Sequence, residues 1–265
     1  MLECTSINVD GLDLISSKYY FTLQGLFGQD NTIITNQLFS DGESYNRTKR
    51  NVKKVLLNGF VRTINIYDFM NLRKVLLNKK LKAFIVTIPV IGQLTFQAEI
   101  ENWGEGSLGG FTVSCTLELP DPNIYEYSVH SIQLGILQSA SAVVYPVTYP
   151  ITYGNPTGAS GTITNLGIAT GYPIVTIVGT CNTLVVTNQT TGESISINIS
   201  LGASDVLVID STPSNRGVYL NGVQRMDLKV GSWLSCAPGD NVFLFSRSSL
   251  ESKLHCTINF QGVWI

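Results

Sequence analysis

Charge is scarce in this 265-residue sequence: Asp, Glu, Lys and Arg make up only 14% of it, against roughly 25% in an average soluble domain. With hydrophobic residues at 44%, that shortage excludes a disordered chain and a coiled coil, both of which need far more polar surface. It leaves Ser, Thr, Asn and Gly to cover the exterior, or apolar surface buried against other copies. The net charge of −2 and a pI near 5.7 exclude a bulk attraction to nucleic acid. No uninterrupted apolar run approaches the roughly 18 residues of a membrane span. The opening MLECTSINVDGLDL has neither a basic start nor an apolar core, so no signal peptide is expected.

The groups that do chemistry are equally sparse. The five cysteines, Cys4, Cys115, Cys181, Cys236 and Cys256, are odd in number and far apart, with no C-x-x-C, which argues against a disulfide framework or a zinc site. Cys115 and Cys256 lie in alternating, strand-like runs and read as buried thiols of a reducing compartment. The only histidines are His130 and His255. His255 adjoins Cys256, but neighbours on a regular strand point to opposite faces, so the two cannot form a nucleophile–base pair there. Asp205 and Asp210 could be taken as a carboxylate pair, yet both flank a short strand, Val206–Ile209, and read as turn residues. P-loop, G-x-G-x-x-G, H-E-x-x-H, G-x-S-x-G and EF-hand patterns are absent. The expectation is a protein with no catalytic residues, no cofactor and no metal.

What charge there is lies unevenly. Residues 47–82 hold eleven of the seventeen basic residues and a single acid, Asp68; residues 83–215 hold no Lys or Arg and nine acids, with Glu99, Glu101 and Glu105 close together. In a ring of identical subunits a basic edge would meet a neighbour's acidic edge; equally, both segments could be solvated faces. The polar excursion 41–51 reads as a mobile loop or hairpin. Arg47, Lys49, Arg50, Lys53 and Lys54 are the candidate interface residues, expected to pair with acids of an adjacent subunit. If the chain builds such a ring, Lys79, Lys80 and Lys82 are expected near its channel wall or an interface.

The fold class reads as mainly β. In the first half, strands are expected at 19–28, 31–39, 55–67, 83–90, 92–103 and 110–119, with Asn58-Gly59 as a hairpin turn. One α-helix is expected from Asp68, its N-cap, with Phe69, Leu72, Leu76 and Leu77 as its apolar stripe and Lys79 and Lys80 near its C-terminal end. This gives an N-terminal α+β domain, an antiparallel β-sandwich-like body with one helix, over 1–140. The composition shifts near 120, and the Pro- and Tyr-rich stretch 143–158 reads as an extended crossing segment. Beyond about 160, turn signals recur every 8–12 residues or so, the spacing of a β-sandwich or jelly roll, assigned to 141–265. There, alternation in 194–201 puts Ile195, Ile197, Ile199 and Leu201 on a buried face. The end of the chain, 253–265, is long enough to return to the first domain.

An ordered series of turn motifs runs through the second half: Asn165-x-Gly167, Tyr172-Pro173-x-Val175-x-Ile177-x-Gly179, Thr187-Asn188-x-Thr190-Thr191-Gly192-Glu193, Asp205-x-Leu207-x-Ile209-Asp210, Val218-x-Leu220-Asn221-Gly222, Ser232-Trp233-Leu234 and Pro238-Gly239-x-Asn241. It resembles the C-terminal domain of siphophage distal tail proteins, the Dit family of tail hub and baseplate components. The first half is similar more weakly, through INVDGLDL, the basic stretch, the single helix and the strand hairpin.

The resemblance implies a galectin-like C-terminal sandwich and an N-terminal domain that builds a homo-hexameric ring in the virion, at the phage tail tip, assembled in the host cytoplasm. The implied partners are the major tail protein, the tail-associated protein, and receptor-binding or other adsorption proteins. Host glycans remain an option, no membrane is involved, and DNA is met only in transit. The alternative reading is a carbohydrate-binding adhesin module for host cell-wall sugars. The chain lacks a long insertion after residue 160 that could be an extra carbohydrate-binding module. Trp233, beside a turn, is the candidate anchor of the C-terminal domain: a core or interface residue before a sugar platform. A sugar hydrolase would need two carboxylates about 5–10 Å apart, and no strand offers a convincing pair.

Overall fold

The computed structural model describes residues 4–28, 31–37, 43–50, 52–63, 65–78, 80–106, 110–134, 158–247 and 254–264. The chain divides into two compact units, Met1–Ser128 with Trp264–Ile265, and Val129–Val263. Among the described residues one α-helix occurs and the rest of the regular structure is almost entirely antiparallel sheet, so the mainly β expectation holds. Among the described residues no helix is long and apolar enough to cross a membrane. The crossing segment expected at 143–158 lies almost wholly outside the described residues.

The first unit contains β1 (Ser6–Val9), β2 (Leu12–Asp13), β3 (Tyr19–Gln24), β4 (Asn31–Gln37), β5 (Glu43–Arg50), β6 (Lys53–Val61), α1 (Ile66–Leu76), β7 (Lys82–Ile88), β8 (Gly92–Gly106), β9 (Phe111–Leu119) and β10 (Ile124–Glu126). Its main sheet runs β2-β1-β7-β8-β9-β6-β3, while β4 and β5 pair with each other as a separate two-stranded sheet. The stretch 41–51, read from sequence as a loop or hairpin, carries the strand β5, which pairs antiparallel with β4, whose β-branched residues suit pairing. Period-two alternation buries Tyr19, Phe21 and Leu23 of β3 with Val55 and Leu57 of β6 and Val113, Cys115 and Leu117 of β9.

Asn58-Gly59 is no turn. Both residues sit in the middle of β6, paired with Thr22 and Phe21 on one side and Ser114 and Val113 on the other. A Cβ at position 59 would collide with the Phe21 ring and the Tyr20 carbonyl, so this glycine serves close approach. On α1 the core takes Phe69, Leu72 and Leu76, as the stripe predicts, and Leu77 lies past the end. The N-cap is Asn65, whose side chain accepts the Tyr67 N–H at 3.0 Å. Asp68, expected as the cap, lies inside the first turn, where Lys18 Nζ (2.8 Å) and Thr63 Oγ1 (2.8 Å) donate to it. The helix stops at Leu76, so Arg73 and Lys74 occupy the last turn that Lys79 and Lys80 were expected to approach.

The second unit contains β11 (His130–Leu134), β12 (Gly158–Asn165), β13 (Ile174–Val178), β14 (Leu184–Asn188), β15 (Glu193–Ile197), β16 (Val206–Asp210), β17 (Gly217–Leu220), β18 (Val223–Gln224), β19 (Lys229–Gly231), β20 (Gly239–Arg247) and β21 (His255–Phe260). Two antiparallel sheets, β11-β21-β13-β16-β17-β18 and β12-β20-β14-β15-β19, share one core. Val175, Ile177, Leu207 and Ile209 come to it from the first sheet, and Val186, Ile195, Ile197 and Phe243 from the second. This is the sandwich that the turn spacing implies. A last short strand, β22 (Val263–Trp264), ends the chain. Trp264 counts with the first unit, where its ring centre lies 6.4 Å from that of Phe27.

Candidate functional site

The motif asparagines of the second unit turn inward. Asn188 is fully buried; its amide donates to the Ser235 carbonyl (2.6 Å) and to Asn241 Oδ1 (3.1 Å), and its own oxygen accepts the Thr190 N–H (3.0 Å). Asn241, also fully buried, donates to the carbonyls of Ala237 and Gly239 and accepts the Ala237 N–H. Asn165 donates to the carbonyls of Ala169 and Cys236 and accepts the Gly167 N–H. Between them they satisfy loop backbone that would otherwise be buried without partners. Asp205 and Asp210 close turns: Asp205 accepts from the Gly202 N–H and the Asn221 amide, and Asp210 from Thr212 and Asn215. The Asn221 amide bond, then the Gly202 N–H, hold the Asp205 carboxyl below its ordinary range. The signature thus encodes turns and plugs, with no reacting group in it.

Trp233 packs on the edge of the second core and gathers cations. The Arg216 guanidinium lies 5.6 Å from its ring centre and 5.5 Å from that of Tyr172, and Lys229 Nζ lies 4.7 Å from Trp233. Arg216 also donates to the Ser211 carbonyl and Lys229 to the Gly231 carbonyl, which ties the cluster to two loops. A stacking platform for a sugar needs an open aromatic face, whereas this ring is shared by two charged side chains. Arg216 and Lys229 carry no role in the sequence reading, and Tyr172 enters it only as part of a turn motif. The one signal is that Arg216 ends the long stretch without basic residues.

Part of the basic stretch of the first unit is engaged within its own subunit. Arg47, Lys49 and Arg50 lie on β5, paired in the sheet with Ile34, Thr32 and Asn31 of β4. Lys53 is 3% exposed and its amine donates to the Leu26 carbonyl at 3.0 Å. Lys54, next in sequence and on the other face, is exposed and lies 3.8 Å from Glu101. Arg73 lies 3.5 Å from Glu105, and Lys82, its side chain buried, pairs with Asp10 at 3.0 Å. Lys79 falls outside the described residues. Segments far apart in sequence meet because β6, β9 and β8 are neighbours in the sheet.

The remaining titratable groups form no reactive constellation. Burial pushes the thiols of Cys115, Cys236 and Cys256 up to about 12, far from the thiolate state a nucleophile needs. Among the described residues no group of three or more His, Cys, Asp or Glu could hold a metal ion.

Residues 167–264 match the family described as siphovirus-type tail component, C-terminal domain. Among solved structures the chain is similar to the Dit protein (gp 19.1) of SPP1, described as a paradigm of hub adsorption apparatus in phages that infect Gram-positive bacteria. The identity is 14%, the match covers 98% of this chain and 99% of that one, and the TM-score is 0.66. It is also similar, at 13% identity over 98% of both chains and a TM-score of 0.46, to a chain of the phage P2 baseplate in its activated conformation with Ca. No curated protein matches the sequence. The resemblance to distal tail proteins read from the turn motifs holds: over 167–264 the chain matches a siphovirus tail component family.

Proposed function

We propose that the protein is the structural hub of a phage tail tip, six copies closing into a ring that joins the tail tube to the tail-associated protein. The first unit builds the ring, and the galectin-like second unit is presented to adsorption proteins. The observation that carries this reading is the shared fold with the SPP1 hub protein over 98% of the chain, together with the tail-component family match over 167–264. The ring is assembled in the host cytoplasm, and the work is docking without catalysis or cofactor. Arg47, Lys49 and Arg50 on the separate β4–β5 arm, with Lys54, serve contacts between rings or neighbouring subunits. They do not line the channel, because a strongly positive lumen would hold passing DNA by salt-sensitive phosphate contacts.

Native mass spectrometry of the purified full chain tests this: six times the monomer mass is expected. A monomer in solution, together with virions that carry no ring of this protein at the tail tip, refutes it. The carbohydrate-binding alternative ranks below it because Arg216 and Lys229 share the Trp233 ring. Glycan-array binding abolished by Trp233→Ala would reverse that order.

A further inference from the structure

Two faces of the first unit carry apolar side chains that its own core leaves uncovered. On α1, opposite Phe69, Leu72 and Leu76, the residues Tyr67, Met70 and Lys74 are spaced three and four apart and form one stripe. Tyr67 is 80% exposed and Met70 54%. On the main sheet, alternation turns Lys54, Leu56, Asn58 and Phe60 of β6 outward, with Leu56 45% and Phe60 42% exposed. The register sets Tyr20 beside Phe60 at one end, their ring centres 5.5 Å apart. At the other end it sets Glu118 between Lys54 and Glu99, with Glu101 following on β8. That end is acidic: one lysine faces three carboxylates. A hydrogen bond shared with Glu101, in which Glu118 holds the proton, then partial burial, pushes the Glu118 carboxyl above its ordinary range.

The two faces look in opposite directions. The helix packs on the inner side of the sheet, where the Phe69 ring stacks on Phe111 at 4.6 Å and the Tyr19 hydroxyl donates to the Asp68 carbonyl at 2.9 Å. The aromatic and aliphatic outward residues are on the far side.

We propose that these faces bind each other between neighbouring copies, the Tyr67–Met70–Lys74 stripe of one copy lying on the β3–β6–β9 face of the next, with Lys74 at its acidic end. The occupant is a second copy because both complementary halves are on one chain: apolar surface meets apolar surface, and an ammonium meets surplus carboxylates. The spacings agree. Met70 and Lys74 are one helical turn apart, about 5–6 Å, while Leu56 and the Lys54–Glu118 row are two strand residues apart, about 7 Å. A contact between two different faces is heterologous, and it closes a ring when the rotation allows. The inference deepens the ring reading and rests on its premise that the first unit self-associates.

The test uses full-length Met70→Glu and Phe60→Glu, both at exposed positions, with circular dichroism and melting to show that each folds. Light scattering and native mass spectrometry should find the parent assembled and each variant monomeric. A one-to-one mixture of the two should stop at a heterodimer, since each keeps one working face. Lys74→Glu and Glu118→Lys should each weaken assembly by about tenfold or more, and mixing these two should restore it. The inference is overturned if the single variants assemble like the parent, or if the Met70→Glu and Phe60→Glu mixture stays monomeric. A parent that is still monomeric at about 100 μM, above the dissociation constants of ordinary specific interfaces, overturns it as well. The outcomes separate: variants that still form closed rings refute these surfaces and leave the ring standing. A mixed heterodimer from a parent that never closes, with virions that carry no ring of this protein, supports the surfaces and refutes the ring.

Discussion

Replacing Asn188 by alanine should unfold the second unit far more easily while leaving the first unit's transition in place. The side chain is fully buried and makes three hydrogen bonds, to the Ser235 carbonyl, Asn241 Oδ1 and the Thr190 N–H. Each such bond contributes about 1 kcal/mol net, and a buried partner left unsatisfied costs a further 1–3 kcal/mol or so. Asn241 Oδ1 keeps the Ala237 N–H and Thr190 is near solvent, so only the Ser235 carbonyl is truly orphaned. The sum is about 4 kcal/mol. For a unit of this size that lowers the melting midpoint by roughly 10 °C or more. Asn188→Asp should cost at least as much: it keeps the shape but sets a carboxylate against the two oxygens that the amide now serves. Scanning calorimetry, with Trp233 fluorescence reporting on the second unit, measures both. A loss below about 1 kcal/mol for alanine, or tolerance of aspartate, would refute the view that the signature asparagines are structural plugs.

Three further outcomes are expected. Lys53→Glu should destabilise the first unit by about 3 kcal/mol or more, because it buries an acid against the Leu26 carbonyl, whereas Lys54→Glu should stay within about 1 kcal/mol; equal melting shifts for the two contradict this. The Asp68 carboxyl is held below its ordinary range by its bonds from Lys18 and then Thr63, so the stability it contributes is present above that range and lost as pH falls through it. Asp68→Asn should therefore flatten the acid limb of the first unit's melting curve, and an unchanged limb rules the link out. Cys115, Cys236 and Cys256, raised to about 12 by burial, should resist a disulfide reagent in the native state, with half-buried Cys4 modified first. Because the folded protein holds those three protons more tightly, stability should fall as pH rises beyond the ordinary thiol value of 9.0. Prompt reaction of more than one thiol contradicts the burial.

Local pattern settled much of this protein. Strict alternation in 194–197 and 111–119 set which residues of β15 and β9 face a core, because side chains on a strand have a period of two whatever the partner. The spacing of Phe69, Leu72 and Leu76 fixed the buried side of α1. The order of turn residues from Asn165 to Asn241 carried the family likeness, since each satisfies its own nearby backbone and so leaves a local trace in sequence. Tertiary structure decided the rest. Asn58-Gly59 reads as a turn in any window of sequence, and only β3, arriving with Phe21, makes it the middle of a strand. Trp233 acquires its cations from loops that meet only when the sheets form. The separation of basic and acidic residues along the chain suggested contacts between subunits, yet Lys54 meets Glu101 and Arg73 meets Glu105 within one. Pairings between distant segments depend on which surfaces complement each other across the sheet, and no local propensity records that choice.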